Sequence, residues 1–371
     1  MHDGMSTSTR ADRLTTLSTS TGRRFGRITL DMRQDLATWK QAAFLGGSLA
    51  IGLAISVAIL AVAGIPPATL ASELAGVLNA DSLRNTLVQA APLILVGLAA
   101  SIAFRIGFWN LGLEGQMIFG GIFAAAVSIY QIGPPPTRLI VMGLAAGLGG
   151  MFWVLVVAFL KIKFRVNEII ATLLLNYVAQ YFLFHLLYGA WQDAKTAFPQ
   201  SSQFQPFERL TDIGLGINSG LIVAIVGVLV AGWFVHLSRA GFYMRFISAN
   251  PGMAKVVGVP IQAVTILVVA ASGACAGLAG FVNIASQESR LTQSFADGYV
   301  FSGVLIAFLS RNDPIVVAVV GFLIAVLFIT GQTLQVFYQI PFTMVQMIEA
   351  IIVIAVASSE FLIRHRIRWI R

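Results

Sequence analysis

The chain has 371 residues, of which 57% are hydrophobic and only 11% are charged, and its mean hydropathy is +0.83. A soluble domain needs far more charge on its surface, so this composition excludes a soluble fold and predicts a polytopic membrane protein. The apolar runs are long enough for helices, which need ~20 residues to cross ~30 Å of hydrocarbon, and they lack the short alternating segments of a barrel. The formal charge of +8 is spread between these runs, which favours membrane orientation over nucleic-acid binding.

The sequence predicts an all-α membrane bundle of about ten transmembrane helices. The predicted spans are residues 41–64, 86–104, 113–131, 138–160, 168–189, 218–238, 261–285, 298–310, 314–333 and 341–362. Most Lys and Arg residues fall in inner segments if both termini are cytoplasmic, as the positive-inside rule requires. We expect a cytoplasmic and largely disordered N-terminal tail over 1–40, a transmembrane domain over 41–362 and a basic cytoplasmic tail over 363–371.

The segment between the second and third predicted spans places polar residues next to glycines. Asn110, Glu114 and Gln116 lie in the run Asn-Leu-Gly-Leu-Glu-Gly-Gln. Isolated polar groups are costly in hydrocarbon, so these side chains must face protein, water or a transported solute. Two interpretations stay open: they line a translocation path, or Glu114 pairs with Arg105 or caps a helix and only fixes the packing.

The fifth predicted span carries a polar residue at every fourth position. Glu168, Thr172, Asn176 and Gln180 form one stripe on a helix. The stripe should face the bundle interior, either as interhelical hydrogen bonding or as part of a path for a polar solute.

The seventh predicted span has small residues on one side. Gly273, Gly277 and Gly280 favour tight packing against neighbouring helices. Asn283 marks the outer end of this span and is a further candidate for the substrate path.

A polar segment between the sixth and seventh predicted spans has clear helix boundaries. Asn250 suits an N-cap, Pro251 the first helical position and Gly258 the residue just past the C-terminus, while Pro260 prevents continuation. The sequence therefore predicts a rigid helix of about two turns on the membrane surface, and such a helix usually meets a partner.

Motifs for ATP binding and for catalysis are missing from the sequence. It has no Gly-x-x-x-x-Gly-Lys-Ser/Thr loop, no His-Glu-x-x-His, no Cys/His metal spacing and no Gly-x-Ser-x-Gly. We expect no enzyme activity, no cofactor and no metal site on this chain.

Five segments, taken in order, resemble the ABC-importer permeases for nucleosides and simple sugars. They are residues 104–117, 166–178, 241–258, 272–280 and 310–314, and the likeness covers nearly all of 85–330. The resemblance implies a permease subunit of the bacterial cytoplasmic membrane. It also implies a second permease, ATP-binding subunits that carry ATP and Mg, and an extracytoplasmic solute-binding protein as partners, besides membrane lipid, with no nucleic acid.

The resemblance assigns the polar segment to the ATPase. It implies that Asn250, Pro251, Ala254, Lys255 and Gly258 form the helix that docks on the ATP-binding subunit. The implied cycle is alternating access driven by that subunit.

The expected solute is a nucleoside, because the segment that contains Asn110 and Gln116 is most similar to the nucleoside permeases. Sugars, riboflavin-like molecules and branched-chain amino acids are alternatives. A rival hypothesis is an ion- or proton-coupled secondary transporter, in which Glu114, Glu168 and Glu349 would be the coupling carboxylates. A third is a structural membrane scaffold.

Overall fold

The computed structural model describes residues 23–25, 28–32, 38–62, 64, 66, 79–196, 198–214, 218–339 and 341–369. The chain forms two compact units, Met1–Ala54 with Ile354–Arg371 and Ile55–Val353. All candidate site residues belong to the second unit.

Helices make up nearly all of the described part of the second unit. In chain order the helices of the described chain are α1 Thr38–Val62, α2 Ala80–Phe104, α3 Leu113–Ile129, α4 Pro135–Phe164, α5 Glu168–Leu187, α6 Ser219–His236, α7 Arg239–Ala249, α8 Pro251–Val256, α9 Ile261–Asn283, α10 Tyr299–Leu309, α11 Pro314–Tyr338 and α12 Phe342–Arg364. A short 3₁₀ helix covers Pro206–Glu208, and a π-helical turn, Ile284–Glu288, extends α9.

The long apolar helices fit a multi-pass membrane protein. Within the described residues, six stretches are long and apolar enough to cross a membrane: Ser82–Phe104, Pro135–Phe164, Glu168–Leu187, Ser219–His236, Ile261–Glu288 and Pro314–Tyr338. Each of the ten predicted spans overlaps one of the described helices. The count of ten spans and the orientation of the termini stay predictions.

Four helices, α2, α3, α4 and α9, form the core of this unit, and α10 and α11 pack on α2. Gly277 shows why α9 can lie so close to its neighbours. A Cβ at Gly277 would overlap the carbonyl oxygen of Ala146 in α4, while Gly120 in α3 contacts the backbone of Gly277 from another side. Close backbone approach through small residues is the usual packing of membrane helices. The predicted role of the glycines in this span is confirmed.

The unit that holds the two ends of the chain contains a small sheet that the all-α prediction did not include. Strands β1 Arg23–Phe25, β2 Ile28–Met32 and β3 His365–Trp369 pair antiparallel in the order β1-β2-β3. Pairing of β2 with β3 brings the segment before α1 next to the segment after α12. The prediction of a largely disordered N-terminal tail concerns mostly residues 1–22, 26–27 and 33–37, which lie outside the described residues.

Candidate functional site

Asn110 lies at the centre of a buried hydrogen-bond network between α2, α3 and α9. Its amide nitrogen donates to Gln116 Oε1 and to Ser272 Oγ, each at 3.0 Å, and its Oδ1 accepts from Gln116 Nε2 at 2.7 Å. The same Oδ1 accepts from the N–H of Gly112 at 3.2 Å, and Ser272 Oγ donates to the carbonyl oxygen of Ala99 at 2.6 Å. Asn110 therefore uses all its donors and acceptors within the chain. In this conformation the network joins helices and faces no open surface.

The polar stripe of α5 is connected to the same region. Asn176 accepts from the N–H of Gly115 at 2.9 Å and donates to the carbonyl oxygen of Leu111 at 3.0 Å. Thr172 donates to the carbonyl oxygen of Glu168 at 2.7 Å, one turn earlier. Thr172 and Asn176 are buried, so the prediction that the stripe faces the bundle interior is confirmed for these two residues. Their contact with a solute stays a prediction.

Glu168 lies at the first turn of α5. Its carboxylate accepts a hydrogen bond from Lys161 Nζ in α4 at 2.7 Å, and both side chains are partly exposed. Lys161 also lies over the ring of Phe108, 4.7 Å from its centroid. Exposed ion pairs of this kind contribute ~0–1 kcal/mol. The pair connects α4 to α5 next to the turn before α3.

Gln180 and Asn283 both hold the segment of residues 289–298, which leads into α10. Gln180 Nε2 donates to the carbonyl oxygen of Gln293 at 2.8 Å, and Asn283 Nδ2 donates to the carbonyl oxygen of Phe295. The two predicted path residues, from α5 and α9, therefore position one non-helical segment. Non-helical backbone at membrane depth requires such partners.

Glu114 differs from the other candidates because its side chain makes no hydrogen bond to the residues that the structure describes. It is half-buried in the first turn of α3, close enough to Asp297 for the two carboxylates to interact electrostatically. The alternative in which Glu114 pairs with Arg105 does not fit the structure, because Arg105 Nε donates to the carbonyl oxygen of Asn312 at 2.9 Å. The turn before α11 satisfies this guanidinium instead.

A buried ion pair anchors the long loop between α5 and α6. Glu208 Oε1 accepts from Arg138 Nη1 at 2.8 Å, and Oε2 accepts from Ser128 Oγ at 2.6 Å and from the N–H of Gln205 at 2.9 Å. The exposed fractions of the Arg138 and Glu208 side chains are 8% and 1%. Because the carboxylate is so completely surrounded by donors, it fixes this loop on the ends of α3 and α4.

The predicted surface helix is α8, and its predicted boundaries are confirmed. Asn250 is the N-cap, its Oδ1 accepting from the N–H of Met253 at 3.1 Å, and Pro251 is the first helical residue. Gly258 follows the helix with a φ of +85°, and the N–H of Val259 donates to the carbonyl oxygen of Ala254 at 3.0 Å. This is the geometry of a glycine-terminated helix.

One side of α8 packs against the rest of the protein, and the other side is exposed. Ala254 is 1% exposed, whereas Met253 is 66% and Val256 is 87% exposed. Val257, just past the helix, is 64% exposed. The segment therefore presents apolar side chains on a rigid and firmly capped frame.

A polar cluster of Arg105, His236 and Asp313 links the end of α2, the end of α6 and the start of α11. Asp313 Oδ1 caps α11 by accepting from the N–H of Ile315 at 3.0 Å, and its Oδ2 lies 3.2 Å from His236 Nε2 at the end of α6. Burial lowers the pKa of the Arg105 guanidinium, while the charge of Asp313 acts in the opposite direction. Arg105 and Asp313 together hold the turn between α10 and α11.

Comparison with known proteins identifies the class of this chain. Residues 82–357 match the model of a family described as "Branched-chain amino acid transport system / permease component". The chain belongs to this permease family. It is accordingly an ABC permease, and its long apolar helices fit a multi-pass membrane protein.

The permease is similar over most of its length to three named proteins. It is 35% identical over 297 residues to a glucose ABC transporter permease protein of Haloferax volcanii, covering 77% of this chain and 78% of the relative. It is 28% identical over 320 residues to a guanosine ABC transporter permease protein of Bacillus subtilis, covering 84% and 92%. A nucleoside ABC transporter permease protein of Lactococcus lactis is 26% identical over 264 residues, covering 67% and 72%.

Permease subunits of ABC transporters are not themselves enzymes, and the family implies ATP-binding and substrate-binding partners.

Three features of the permease were missed by sequence reasoning: the Arg138–Glu208 ion pair, the closeness of Asp297 to Glu114, and the cluster at Asp313. Each joins residues far apart in the chain, so no local pattern could reveal them.

Proposed function

We propose that this chain is the permease subunit of a bacterial nucleoside importer, working by alternating access in the cytoplasmic membrane. The observation that carries the proposal is α8: a helix capped at both ends, seated through Ala254, with Met253 and Val256 open to a partner. A chain with no ATP-binding motif needs such a surface to receive the motion of an ATPase. Family membership supports the presence of that ATPase.

The proposed orientation places α8 on the cytoplasmic side. Arg239, Arg245 and Lys255 surround the segment, and Lys161, Lys163 and Arg165 lie at the end of α4 that shares its side in the predicted topology. The positive-inside rule assigns such positions to the cytoplasm. The loop that Glu208 anchors then lies outside, where a solute-binding protein would deliver its cargo.

A second permease is the other proposed partner. Along the described part of α5, Ile170, Leu174, Tyr177 and Tyr181 expose large apolar surfaces on this single chain. Lipid and a second permease can both cover such surfaces, and an alternating-access path between two permeases requires the second. We propose a pair of permeases on two ATP-binding subunits, which hold ATP and Mg.

A nucleoside is the proposed cargo because two of the three relatives compared above are named for nucleosides or guanosine, and the guanosine permease matches over 92% of its own length. Glucose is the second candidate, since the relative with 35% identity is named for it.

Reconstitution of the complete importer in proteoliposomes tests both class and cargo. We expect uptake of tritiated guanosine to require ATP, the ATP-binding subunit and the solute-binding protein. Uptake by this chain alone, driven by an ion gradient without the ATPase, would refute the proposal and favour the secondary-transporter hypothesis. ATP-dependent uptake of glucose with none of guanosine or uridine would refute the cargo but keep the class.

Val256→Asp tests the docking role of α8. Because Val256 is 87% exposed, the substitution should leave the folded permease intact while placing a carboxylate in an apolar contact. We expect guanosine uptake, and the ATP hydrolysis stimulated by the binding protein, to fall at least tenfold, which corresponds to ~1.4 kcal/mol of lost coupling or affinity. Val166→Asp, at a residue 37% exposed in the turn between α4 and α5 on the same side of the predicted topology, is the matched control. Normal transport by Val256→Asp would contradict the docking role.

A further inference from the structure

The exposed side chains of α6 form one apolar stripe that runs to the end of the helix. The buried residues Ala224 and Ala231 lie on the opposite side of the helix. Because α6 is long and apolar enough to cross a membrane, its exposed side has the chemistry of a surface that lipid covers. The stripe consists of Ile222, Ile225, Val226, Leu229, Val230, Trp233 and Leu237.

The next helix, α7, is fixed directly on the end of α6. Ser238 Oγ donates to the carbonyl oxygen of Phe234 and accepts from the N–H of Gly241 at 3.1 Å, so it joins the two helices. A Cβ on Gly241 would overlap the carbonyl oxygen of Val235. The apolar span ends at His236. The first turn of α7 therefore lies at the depth where the span leaves the hydrocarbon.

Aromatic rings occupy the exposed side of α7. Gly241, Met244 and Ile247 are buried on one side of this helix. Phe242 and Phe246 lie one turn apart on the other side, where they are 56% and 40% exposed, and their ring centroids are 4.9 Å apart. A helix surrounded by water carries polar residues on its outer side. The outer side of α7 is therefore suited to an apolar environment.

Two arginines border these rings and carry positive charge that the described part of the chain does not neutralise. Arg239 precedes Phe242 by three residues and Arg245 follows it by three, so the arginines lie at the two edges of the aromatic side. Both arginines are exposed and make no hydrogen bond or ion pair to the described residues. Arg245 is also close enough to Arg105 for their charges to repel. Asp313, the nearby carboxylate, already caps α11.

We propose that α7 lies in the membrane interface and binds the headgroup of an anionic phospholipid. Phe242 and Phe246 insert between the ends of the acyl chains, and Arg239 and Arg245 bind the lipid phosphate. Aromatic residues between basic ones are typical of helices that lie in the plane of a membrane, and basic residues beside a span attract anionic headgroups.

Continuity with α6 favours lipid over a protein partner at this surface. Trp233 lies in the last turn of α6, and tryptophan is enriched at membrane interfaces. Leu237, 78% exposed, continues the apolar surface from Trp233 towards Phe242. One bilayer covers both helices without a break. Because α8 follows α7 after the single residue Asn250, a lipid-bound α7 would hold the base of α8 at a fixed depth.

Quenching by brominated lipid tests where the exposed side of α7 lies. In a Cys275→Ala background, the full chain with Phe242→Cys carries an NBD maleimide and is reconstituted in vesicles of phosphatidylcholine and phosphatidylglycerol. Bromine on the acyl chains should lower its fluorescence by about half, as it should for Leu229→Cys within the span. Met253→Cys, 66% exposed on α8, is the matched control and should not be quenched.

Lipid retention tests the arginines without requiring transport. Native mass spectrometry of the full-length permease should show phosphatidylglycerol retained in preference to phosphatidylcholine. Replacing both Arg239 and Arg245 by glutamine should lower this preference by about fivefold or more, because each basic residue near an anionic surface contributes about that factor. Replacing both by lysine should preserve it. Lys255→Gln, at an exposed cation of α8, is the matched control and should leave it unchanged.

The outcomes distinguish lipid from other occupants. Equal retention of the two lipids by the unsubstituted permease, or an unchanged preference in a double glutamine variant that elutes normally on size exclusion, would overturn the headgroup site. An unquenched label at residue 242 would place α7 outside the bilayer. Quenching that the ATP-binding subunit abolishes would assign this surface to the ATPase and also overturn the proposal. The proposed nucleoside transport is independent of all these outcomes, because neither measurement uses a solute or ATP.

Discussion

Replacing Asn110 by leucine tests whether the buried polar network serves packing or transport. Leucine has a similar shape but no polar atoms, so Asn110→Leu removes four hydrogen bonds at once. Ser272 keeps its bond to the carbonyl oxygen of Ala99. The side-chain oxygen and nitrogen of Gln116 both lose their hydrogen bonds to Asn110, and the N–H of Gly112 loses its side-chain acceptor. Three buried polar groups are therefore left without partners.

The expected cost follows from these three groups. A buried polar group left unpaired costs ~1–3 kcal/mol in soluble proteins, whereas hydrogen bonds between membrane helices average ~0.6 kcal/mol in double-mutant cycles. Three groups at ~0.6 kcal/mol cost ~2 kcal/mol together, and three at ~1.5 kcal/mol, within the soluble range, cost ~4.5 kcal/mol, a large part of a typical stability of ~5–15 kcal/mol. At ~2 °C per kcal/mol, the thermal midpoint of the purified importer should fall by about 4–9 °C.

Thermal unfolding in detergent, read by loss of monodisperse importer on size exclusion, measures this change. Gln116→Leu in the same background should cost much less than Gln116→Leu alone, because its partner is already gone. Asn79→Leu, at an exposed N-cap whose side chain makes no capping bond, should leave the midpoint unchanged. If Asn110→Leu kept the normal midpoint but raised the KM for guanosine, the packing role would be refuted and a path role favoured.

Two further predictions concern stability. Glu208→Ala leaves Arg138 buried without its partner and should lower the free energy of unfolding by about 3–5 kcal/mol in the same thermal assay. Glu208→Gln should lower it by an intermediate amount. A change below about 1 kcal/mol would mean that water replaces the carboxylate. Gly277→Val should sharply lower the amount of folded permease in the membrane because its Cβ would overlap the carbonyl oxygen of Ala146, whereas Gly232→Val, where a Cβ meets nothing within 4 Å, should be tolerated. Equal amounts of the two valine variants would contradict the packing at Gly277.

The α8 segment and the apolar spans could be predicted because their signals are local. Asn250, Pro251 and Gly258 act within a few residues of one another, so the cap and the left-handed terminus follow from side-chain chemistry and backbone sterics alone. The inward orientation of Thr172 and Asn176 could likewise be predicted from the sequence, since helical periodicity places them on one side of the helix.

The end of α11 shows where local reasoning fails. The ninth span was predicted to end at residue 333. The helix instead continues to Tyr338, where Gln339 adopts a left-handed conformation with a φ of +52°. A glutamine is not a typical residue for a left-handed helix end, so no local signal marked this boundary.

The sequence by itself determined the membrane class, the helical runs, the capped surface helix and the resemblance to importer permeases. These depend on hydrophobicity and on contacts within one or two turns of helix. Only the tertiary structure decided the partners of the polar residues: Asn110 meets Ser272 from α9, and Glu208 meets Arg138 from α4. Because an unpaired polar group is costly in the membrane, each must find a partner, but the partner's place in the chain depends on how distant helices pack.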